Sequence, residues 1–348
     1  MIEPVALCLR VSITGGFLCV LILGGCSRER QQTGFRTSEG LEQASEELEQ
    51  ASEELEVAES EAELNPLSIE GLRKRVYPER EIELQNAITT DEGLETWKFS
   101  YDSDGYTIYG LLEKPASEAP LKGWPVIIVA HGYIPPGVYS TVHNYRAVTR
   151  YYASNGFLVL KPDYRGHDRS EGNSGGPTAT INYSIDVLNL INQIDSIPDA
   201  DTDNIFLYGH SMGGEIGLRV LTVSKALRGA TLWAAVTKPF PNLYFLRKRD
   251  PQEAERHLKS IEALFAPEEY SLLSPNNYFD SIDIPILIHH GTQDESVPFE
   301  WSISFREELD EAQVDYTFYQ YPGENHNISK SFFKVMDRDM AFFRDLIE

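Results

Sequence analysis

One short stretch of the chain carries residues that could do nucleophilic chemistry. It reads Gly-His-Ser-Met-Gly over 209–213, with Ser211 at its centre, and follows a mostly apolar run at 204–208. The apolar run is typical of a buried strand, and the residues from Ile216 onward continue well as a helix. Glycines beside the serine permit a tight, strained turn that would expose the hydroxyl. The pattern alone also fits an ordinary glycine-rich turn, so the decision depends on partners elsewhere.

Two later loops supply the partners that a nucleophilic serine needs. Asp294 follows an apolar run at 285–289, and His326 follows the run Tyr316–Tyr321 and precedes a terminal helical segment. Because a serine hydroxyl is a weak nucleophile at neutral pH, we expect His326 to accept its proton and Asp294 to orient the imidazole. The chain order serine, aspartate, histidine supports this assignment. Glu295 is the alternative acid.

A third loop, His-Gly-Tyr at 131–133, follows the apolar run at 125–130. Acyl transfer needs donors aimed at the oxygen on which negative charge develops, each contributing on the order of 10²–10³ in rate. We expect an oxyanion hole made by the backbone N–H groups of Tyr133 and Met212, the latter directly after the nucleophile. His131 is interpreted as a structural residue that holds the loop.

Neither a metal site nor a cofactor is predicted. His289 and His290 are adjacent on one strand, where neighbouring side chains point to opposite faces, so the two rings cannot easily share an ion. The three cysteines, Cys8, Cys19 and Cys26, all lie near the N-terminus. The rest of the chain therefore has no cysteine ligands and no disulfide framework.

The segments between these loops alternate between apolar strands and amphipathic helices. Strands are predicted at 97–101, 106–112, 125–130, 157–160, 204–208, 230–236, 285–289 and 316–321. Helices are predicted at 145–153, 181–194, from 216 onward, and at 332–347. The run Asp-Ser-Asp-Gly at 102–105 predicts a hairpin turn. The alternation indicates an α/β-hydrolase fold, a mostly parallel sheet flanked by helices with its reacting loops at the carboxyl ends of strands.

The predicted α/β-hydrolase domain spans 66–348. Within it, residues 236–281 form a longer and less regular insertion between two strands. Phe240, Tyr244 and Phe245 are candidates for a small lid over the nucleophile.

Residues 1–26 have the features of a lipoprotein-type signal peptide. An apolar stretch at 11–23, too short for a comfortable membrane span, leads into Leu-Gly-Gly-Cys ending at Cys26. Lipidation of Cys26 would hold an exported protein at a membrane surface, on the periplasmic or extracellular face. A plain secretory signal, which would give a secreted protein, is the alternative.

Residues 27–65 form an acidic, Glu-rich linker with a heptad-like repeat. Leu41, Leu48 and Leu55 fall on one heptad position. We interpret the segment as a solvated helix or disordered spacer in preference to a weak coiled coil, because it spans few heptads. The formal net charge of -24 over 348 residues argues against nucleic acid as a partner.

Five motifs together resemble the catalytic domain of the prolyl oligopeptidase family. They are the stretches 131–133, 163–167, 209–214 and 291–298, with His326 as the fifth. The resemblance implies a serine hydrolase that acts through Ser211, His326, Asp294 and an acyl-enzyme, as a serine peptidase on short peptides. The family's peptidases carry a β-propeller over the active site, and this sequence has no repeats for one. A carboxylesterase acting on small acyl esters is therefore the alternative, and a non-catalytic binding lipoprotein is the second alternative.

Overall fold

The structure, a computed structural model, describes residues 64–91, 93–242 and 250–347. The predictions for the signal peptide, for Cys26 and for the acidic linker lie outside these residues, as do Tyr244 and Phe245 of the predicted lid. Among the helices of the described ranges, none has the length and apolar character that crossing a membrane would need.

Nine strands of the described chain form a single sheet. They are β1 (Glu83–Asp91), β2 (Leu94–Ser103), β3 (Tyr106–Pro115), β4 (Trp124–Ala130), β5 (Leu158–Pro162), β6 (Ala200–His210), β7 (Leu227–Trp233), β8 (Ile286–Gly291) and β9 (Tyr316–Tyr321). The order across the sheet is β1-β2-β3-β5-β4-β6-β7-β8-β9. The pairs β1/β2, β2/β3 and β3/β5 are antiparallel, and every pair from β5/β4 to β8/β9 is parallel. The carboxyl ends of the parallel strands therefore meet along one edge, where binding sites form.

Helices follow or precede most of the parallel strands. They are α1 (Ile69–Lys74), α2 (Arg146–Ser154), α3 (Ala179–Ile191), α4 (Met212–Val223), α5 (Pro251–Glu262), α6 (Tyr270–Leu273), α7 (Phe299–Glu311) and α8 (Phe332–Leu346). Side chains of α3, α4 and α7, among them Ile216 and Phe305, pack on one face of the sheet. Those of α2 and α8, among them Tyr152 and Phe343, pack on the other. Because both faces are covered, β4 is apolar on both sides, as a central parallel strand should be.

The predicted α/β-hydrolase fold is confirmed by this layered, mostly parallel arrangement. The predicted hairpin also forms between β2 and β3, where Asp104 (φ 59°) and Gly105 (φ 80°) occupy the turn. A two-residue hairpin turn of this hand requires positive φ at both positions.

Five elements have no counterpart in the sequence prediction, and two of them, α5 and α6, lie in the insertion at 236–281. The edge strand β1 pairs with one neighbour only and leaves Leu84 exposed, so its apolar pattern is weak. The helix α1 has six residues and is stabilised at its start by the Ser68 hydroxyl, which accepts a hydrogen bond from the N–H of Gly71. The helix α7 buries Trp301, Phe305 and Leu309 at four-residue intervals. That spacing was available in the sequence and predicts a helix.

Candidate active site

The nucleophile candidate sits at a strained turn between β6 and α4. Ser211 has φ 57° and ψ -118°, a backbone conformation that a residue with a side chain adopts only where its surroundings impose it. Three backbone hydrogen bonds of Ser211 hold the turn. Its N–H donates to the carbonyl of Trp233, and its carbonyl accepts the N–H groups of Val236 and Gly214. A Cβ at Gly213 would lie 2.0 Å from the carbonyl oxygen of Ala130, so the helix reaches this close only with glycine there.

His326 and Asp294 meet beside this turn. The distance from His326 Nδ1 to Asp294 Oδ2 is 2.8 Å. Since Nδ1 is held by the carboxylate, Nε2 is the ring nitrogen left to exchange a proton with a substrate or a hydroxyl. Glu295, the alternative acid, instead accepts a hydrogen bond from the backbone N–H of His326.

The Asp294 carboxylate is buried and fully provided with donors. Oδ1 accepts the backbone N–H groups of Ser296 and Val297 at 2.7 and 2.8 Å, and Oδ2 accepts His326 and also His290 Nε2 at 2.9 Å. Burial opposes ionisation of this carboxyl, but the hydrogen bonds from His290 and His326 outweigh it and hold the pKa of Asp294 well below its usual range. The acid is therefore ionised at neutral pH.

His290 is also part of the site, in a role that was not predicted from its sequence position. Its Nδ1 lies 2.6 Å from the Ser302 hydroxyl, and its Nε2 lies 3.1 Å from the Val297 carbonyl as well as near Asp294. The neighbouring His289 points to the other face of the sheet and contacts Asp339. The two rings thus have separate partners, as their adjacency predicts.

Ser211 and His326 border the same cavity, which has a volume of about 630 Å³. Among the hydrogen bonds of the described residues, none joins the Ser211 hydroxyl to the imidazole. Catalytic hydrogen bonds of this kind are often long in a structure without substrate and shorten when substrate binds. The shared cavity puts the hydroxyl and the imidazole within one substrate-sized space.

Two backbone amides lie where an oxyanion hole is expected. The N–H of Met212 is the first of α4 and the N–H of Tyr133 follows β4, and neither donates a hydrogen bond to another described residue. The amide directly before that of Tyr133, which belongs to Gly132, is already engaged, because it donates to the Tyr145 hydroxyl at 2.7 Å. The N–H groups of Tyr133 and Met212 thus have no hydrogen-bond partner among the described residues.

A chain of hydrogen bonds links this loop to the loop that carries His326. The Tyr145 oxygen accepts the N–H of Gly132 and lies 2.6 Å from His210 Nδ1, while His210 Nε2 lies 3.3 Å from the carbonyl of His326. Burial, with the proximity of His326, lowers the pKa of His210 to about 3, so its ring is neutral. A neutral ring can accept the Tyr145 proton at Nδ1 and donate from Nε2, which fixes both loops relative to each other.

His131 has the structural role expected of it. Its buried ring is stacked between Tyr139 and Tyr164, at centroid distances of 4.6 and 4.3 Å. Burial lowers its pKa well below the usual value, so it stays uncharged. This stack anchors the start of the loop that carries the Tyr133 amide.

The structure places Phe240 away from the side chains that line the cavity at Ser211. Its ring contacts Phe265 and Tyr270, at centroid distances of 6.0 and 5.6 Å, and belongs to an apolar cluster with residues of α1, α3 and α5. Because its ring packs in that apolar cluster, Phe240 does not cover Ser211 as a lid residue would. Tyr244 and Phe245 lie outside the described residues.

Three residues of the site were not found from the sequence. Two of them could have been found from their positions. His290 lies four residues before the acid in a loop already identified, and His210 directly precedes the nucleophile. Tyr145 carries no such signal, because it approaches Gly132 only through the packing of α2 on the sheet. No group of three His, Cys, Asp or Glu side chains in the part of the chain that the structure describes is placed to hold a metal ion.

The fold and the elbow serine define a serine hydrolase of the α/β-hydrolase class. A family model described as the prolyl oligopeptidase family matches residues 143–348, more than half of the chain. The chain belongs to that family, and the function predicted from the sequence, a serine peptidase of the prolyl oligopeptidase type, is confirmed at this level.

Similar proteins include peptidases and esterases. The chain is 25% identical over 262 residues to the Bacillus subtilis protein described as uncharacterized peptidase YtmA, covering 71% of this chain and 95% of that protein. It is 27% identical over 252 residues to human dipeptidyl peptidase 8, covering 66% of this chain and 26% of that protein. The chain thus spans about a quarter of the length of the dipeptidyl peptidases it matches.

Solved structures share the fold. Acetyl xylan esterase from Paenibacillus sp. R4 superposes with a TM-score of 0.63 at 18% identity, over 80% of this chain and 92% of that one. Pyrococcus horikoshii acylaminoacyl peptidase superposes with a TM-score of 0.61 at 21% identity, over 74% of this chain and 42% of that one. At these identities the likeness concerns the fold.

Proposed function

We propose that Ser211 is the nucleophile, His326 the general base and acid, and Asp294 the group that orients the imidazole. The observation that carries this assignment is the 2.8 Å contact between His326 Nδ1 and Asp294, beside a serine at a strained elbow in the same cavity. The ionised carboxylate fixes the tautomer with the proton on Nδ1 and stabilises the imidazolium that forms at each step.

The reaction then proceeds in two halves. His326 Nε2 takes the hydroxyl proton while Ser211 Oγ bonds to the substrate carbonyl carbon, and the N–H groups of Tyr133 and Met212 bind the resulting oxyanion. The bond to the leaving group breaks as the imidazolium returns the proton to it, which leaves the acyl group on Ser211. A water molecule, deprotonated by the same imidazole, releases the acid and restores the serine.

The assignment is tested by labelling the whole chain with a fluorophosphonate probe. We expect Ser211→Ala to abolish labelling and turnover, and His326→Ala to lower both strongly. Ser117→Ala, at an exposed loop serine, is the matched control and should label like the unaltered protein. Labelling that persists in a folded Ser211→Ala variant would show that another residue reacts.

We propose short peptides as substrates. Support comes from family membership and from the 25% identical relative described as a peptidase, which the chain covers almost completely. Hydrolysis of proline-containing dipeptide amides should exceed that of short p-nitrophenyl esters once rates are corrected for leaving-group reactivity. Turnover of esters alone would assign a carboxylesterase.

We also propose that the chain is exported and held at a membrane surface through a lipidated Cys26. The support is the apolar stretch ending in Leu-Gly-Gly-Cys. Expressed in a bacterium that processes lipoproteins, the full chain should fractionate with membranes and incorporate labelled fatty acid. Cys26→Ala should lose both properties, with Cys19→Ala as the control. A chain that stays in the soluble fraction without added lipid would contradict the anchor.

A further inference from the structure

The cavity beside Ser211 extends away from the elbow along the face of the sheet covered by α2 and α8. Five aromatic residues line it: Tyr133, Tyr145, Tyr208, Trp233 and Phe332. Ala147 and Val148 of α2 complete its apolar wall. Among the described residues that border the cavity, none is Asp, Glu, Lys or Arg. An apolar, uncharged cavity favours an uncharged and bulky part of a substrate, because a charged group would lose its hydration without gaining a partner.

The position of the cavity relative to the imidazole shows which part of the substrate it receives. Its rim includes His326 and the residues that follow it, Asn327 and Ser329. The imidazolium delivers its proton to the atom that leaves, so the departing group must lie on the imidazole's side of the scissile bond. The cavity borders the imidazole's side of the site through His326, Asn327 and Ser329, and it also borders Ser211 and the loop at 132–134.

The cavity wall includes the ring and the hydroxyl of Tyr208. Tyr208 is 2% exposed and is packed against Trp233 and Tyr152 at ring-centroid distances of 5.5 and 6.1 Å. Its hydroxyl forms no hydrogen bond with any described residue, whereas the nearby hydroxyls of Tyr145 and Tyr152 both do. A hydroxyl that borders the cavity and forms no hydrogen bond with the described residues can donate to and accept from a ligand.

We propose that this cavity binds the leaving-group side of the substrate and selects a bulky, uncharged group, with the Tyr208 hydroxyl as its hydrogen-bonding contact. This proposal rests on the proposed function of Ser211 and His326. For a peptide substrate it predicts an aromatic or large aliphatic residue directly after the scissile bond. The carbonyl group of that residue should be part of an uncharged amide, because a free carboxylate would bring a charge into the cavity.

The test compares peptides with one fixed acyl part and different leaving residues. We expect kcat/KM for a leaving phenylalanine amide to exceed that for glycine, lysine or aspartate amides by on the order of tenfold or more, as burial of an apolar side chain in a fitted pocket provides. A flat series, or a preference for the charged residues, would overturn the proposal.

Ala147→Phe fills the cavity from the exposed face of α2, and Ala341→Phe makes the same change at an exposed position of α8 outside the cavity. Ala147→Phe should reduce kcat/KM for the phenylalanine amide about tenfold relative to Ala341→Phe, with a smaller loss for the glycine amide. Its deacylation rate should match that of Ala341→Phe, because the leaving group has departed before water attacks. Slower deacylation with an unchanged leaving-group preference would place the acyl part in the cavity instead.

Tyr208→Phe removes only the hydroxyl and keeps the ring. It should lower kcat/KM several-fold for leaving groups that carry an amide, and it should change the hydrolysis of a 2-naphthyl ester little. Equal effects on both kinds of substrate would overturn the hydroxyl contact. Fluorophosphonate labelling of Ser211 separates the two levels of the proposal. If the probe labels Ser211 but kcat/KM does not vary across the leaving-group series, only the cavity assignment is overturned. If the probe does not label the unaltered protein at all, the proposed function itself is overturned.

Discussion

At the scale of single residues, the acid of the site depends on a partner outside the three proposed catalytic side chains. Asp294 Oδ2 is shared by His326 and His290, and Oδ1 is occupied by two backbone amides. The carboxylate cannot rotate without breaking several hydrogen bonds. Its direction, and through it the direction of the imidazole, is therefore set before substrate arrives.

We predict that His290→Phe lowers kcat on the order of 10- to 100-fold with little change in KM, because a loosened carboxylate misplaces His326 without touching the substrate. His290→Gln, whose amide nitrogen can reach the place of Nε2, should recover part of the loss. Steady-state kinetics with one substrate gives kcat and KM for the unaltered protein, His290→Phe and His290→Gln.

His289→Phe is the matched control for His290→Phe. It changes the adjacent residue of β8, whose ring contacts Asp339 and Tyr321 on the opposite face. It should lower the melting temperature while retaining most of kcat in the folded protein. Equal kcat losses in the two phenylalanine variants, or no recovery with glutamine, would contradict a positioning role for His290.

At the scale of elements, the features that could be predicted from the sequence are those that consecutive residues determine. The elbow was predictable because its glycines, its serine and the apolar run before it occupy consecutive positions. The hairpin between β2 and β3 was predictable for the same reason, as its turn needs two residues that tolerate positive φ.

The contacts that no local pattern carries were not predictable. Tyr145 reaches Gly132 across 13 positions and His210 across 65, so the link between the two loops exists only once α2 has packed on the sheet. Phe240 shows the converse error, since an aromatic residue in an irregular insertion was interpreted as a lid although its ring packs in an apolar cluster. An exposed edge strand such as β1 likewise buries few side chains, so its sequence carries no clear apolar pattern.

At the scale of the whole molecule, one fully buried ion pair links stability to pH. Lys161 at the end of β5 lies 3.6 Å from Asp163, and both side chains are inaccessible to solvent. Burial raises the pKa of Asp163 to about 6, against the opposing effects of Lys161, Thr141 and Tyr139. Burial also lowers the pKa of Lys161 to about 8, against the opposing effect of Asp163. Removing both charges from water thus costs more than their attraction returns.

The sign of the resulting pH dependence follows from proton binding. Between pH 3.8 and about 6 the folded protein holds more protons at Asp163 than the unfolded chain does, so this residue's contribution to the free energy of unfolding falls as pH rises. Between about 8 and 10.5 the unfolded chain holds more protons at Lys161, so that contribution rises with pH. The ion pair is therefore least favourable to folding between pH 6 and 8.

We predict that the double variant Lys161→Met/Asp163→Asn removes this dependence. The free energy of unfolding of the unaltered protein minus that of the variant should fall by on the order of 1–3 kcal/mol from pH 4 to 6 and rise again above pH 8. Urea titrations across this range measure it. The exposed pair Lys225 and Asp283, at 2.9 Å, supplies the control, and Lys225→Met/Asp283→Asn should give a nearly constant difference because solvent screens those charges. A constant difference for the buried pair as well would mean that its charges are as well solvated in the fold as in the unfolded chain.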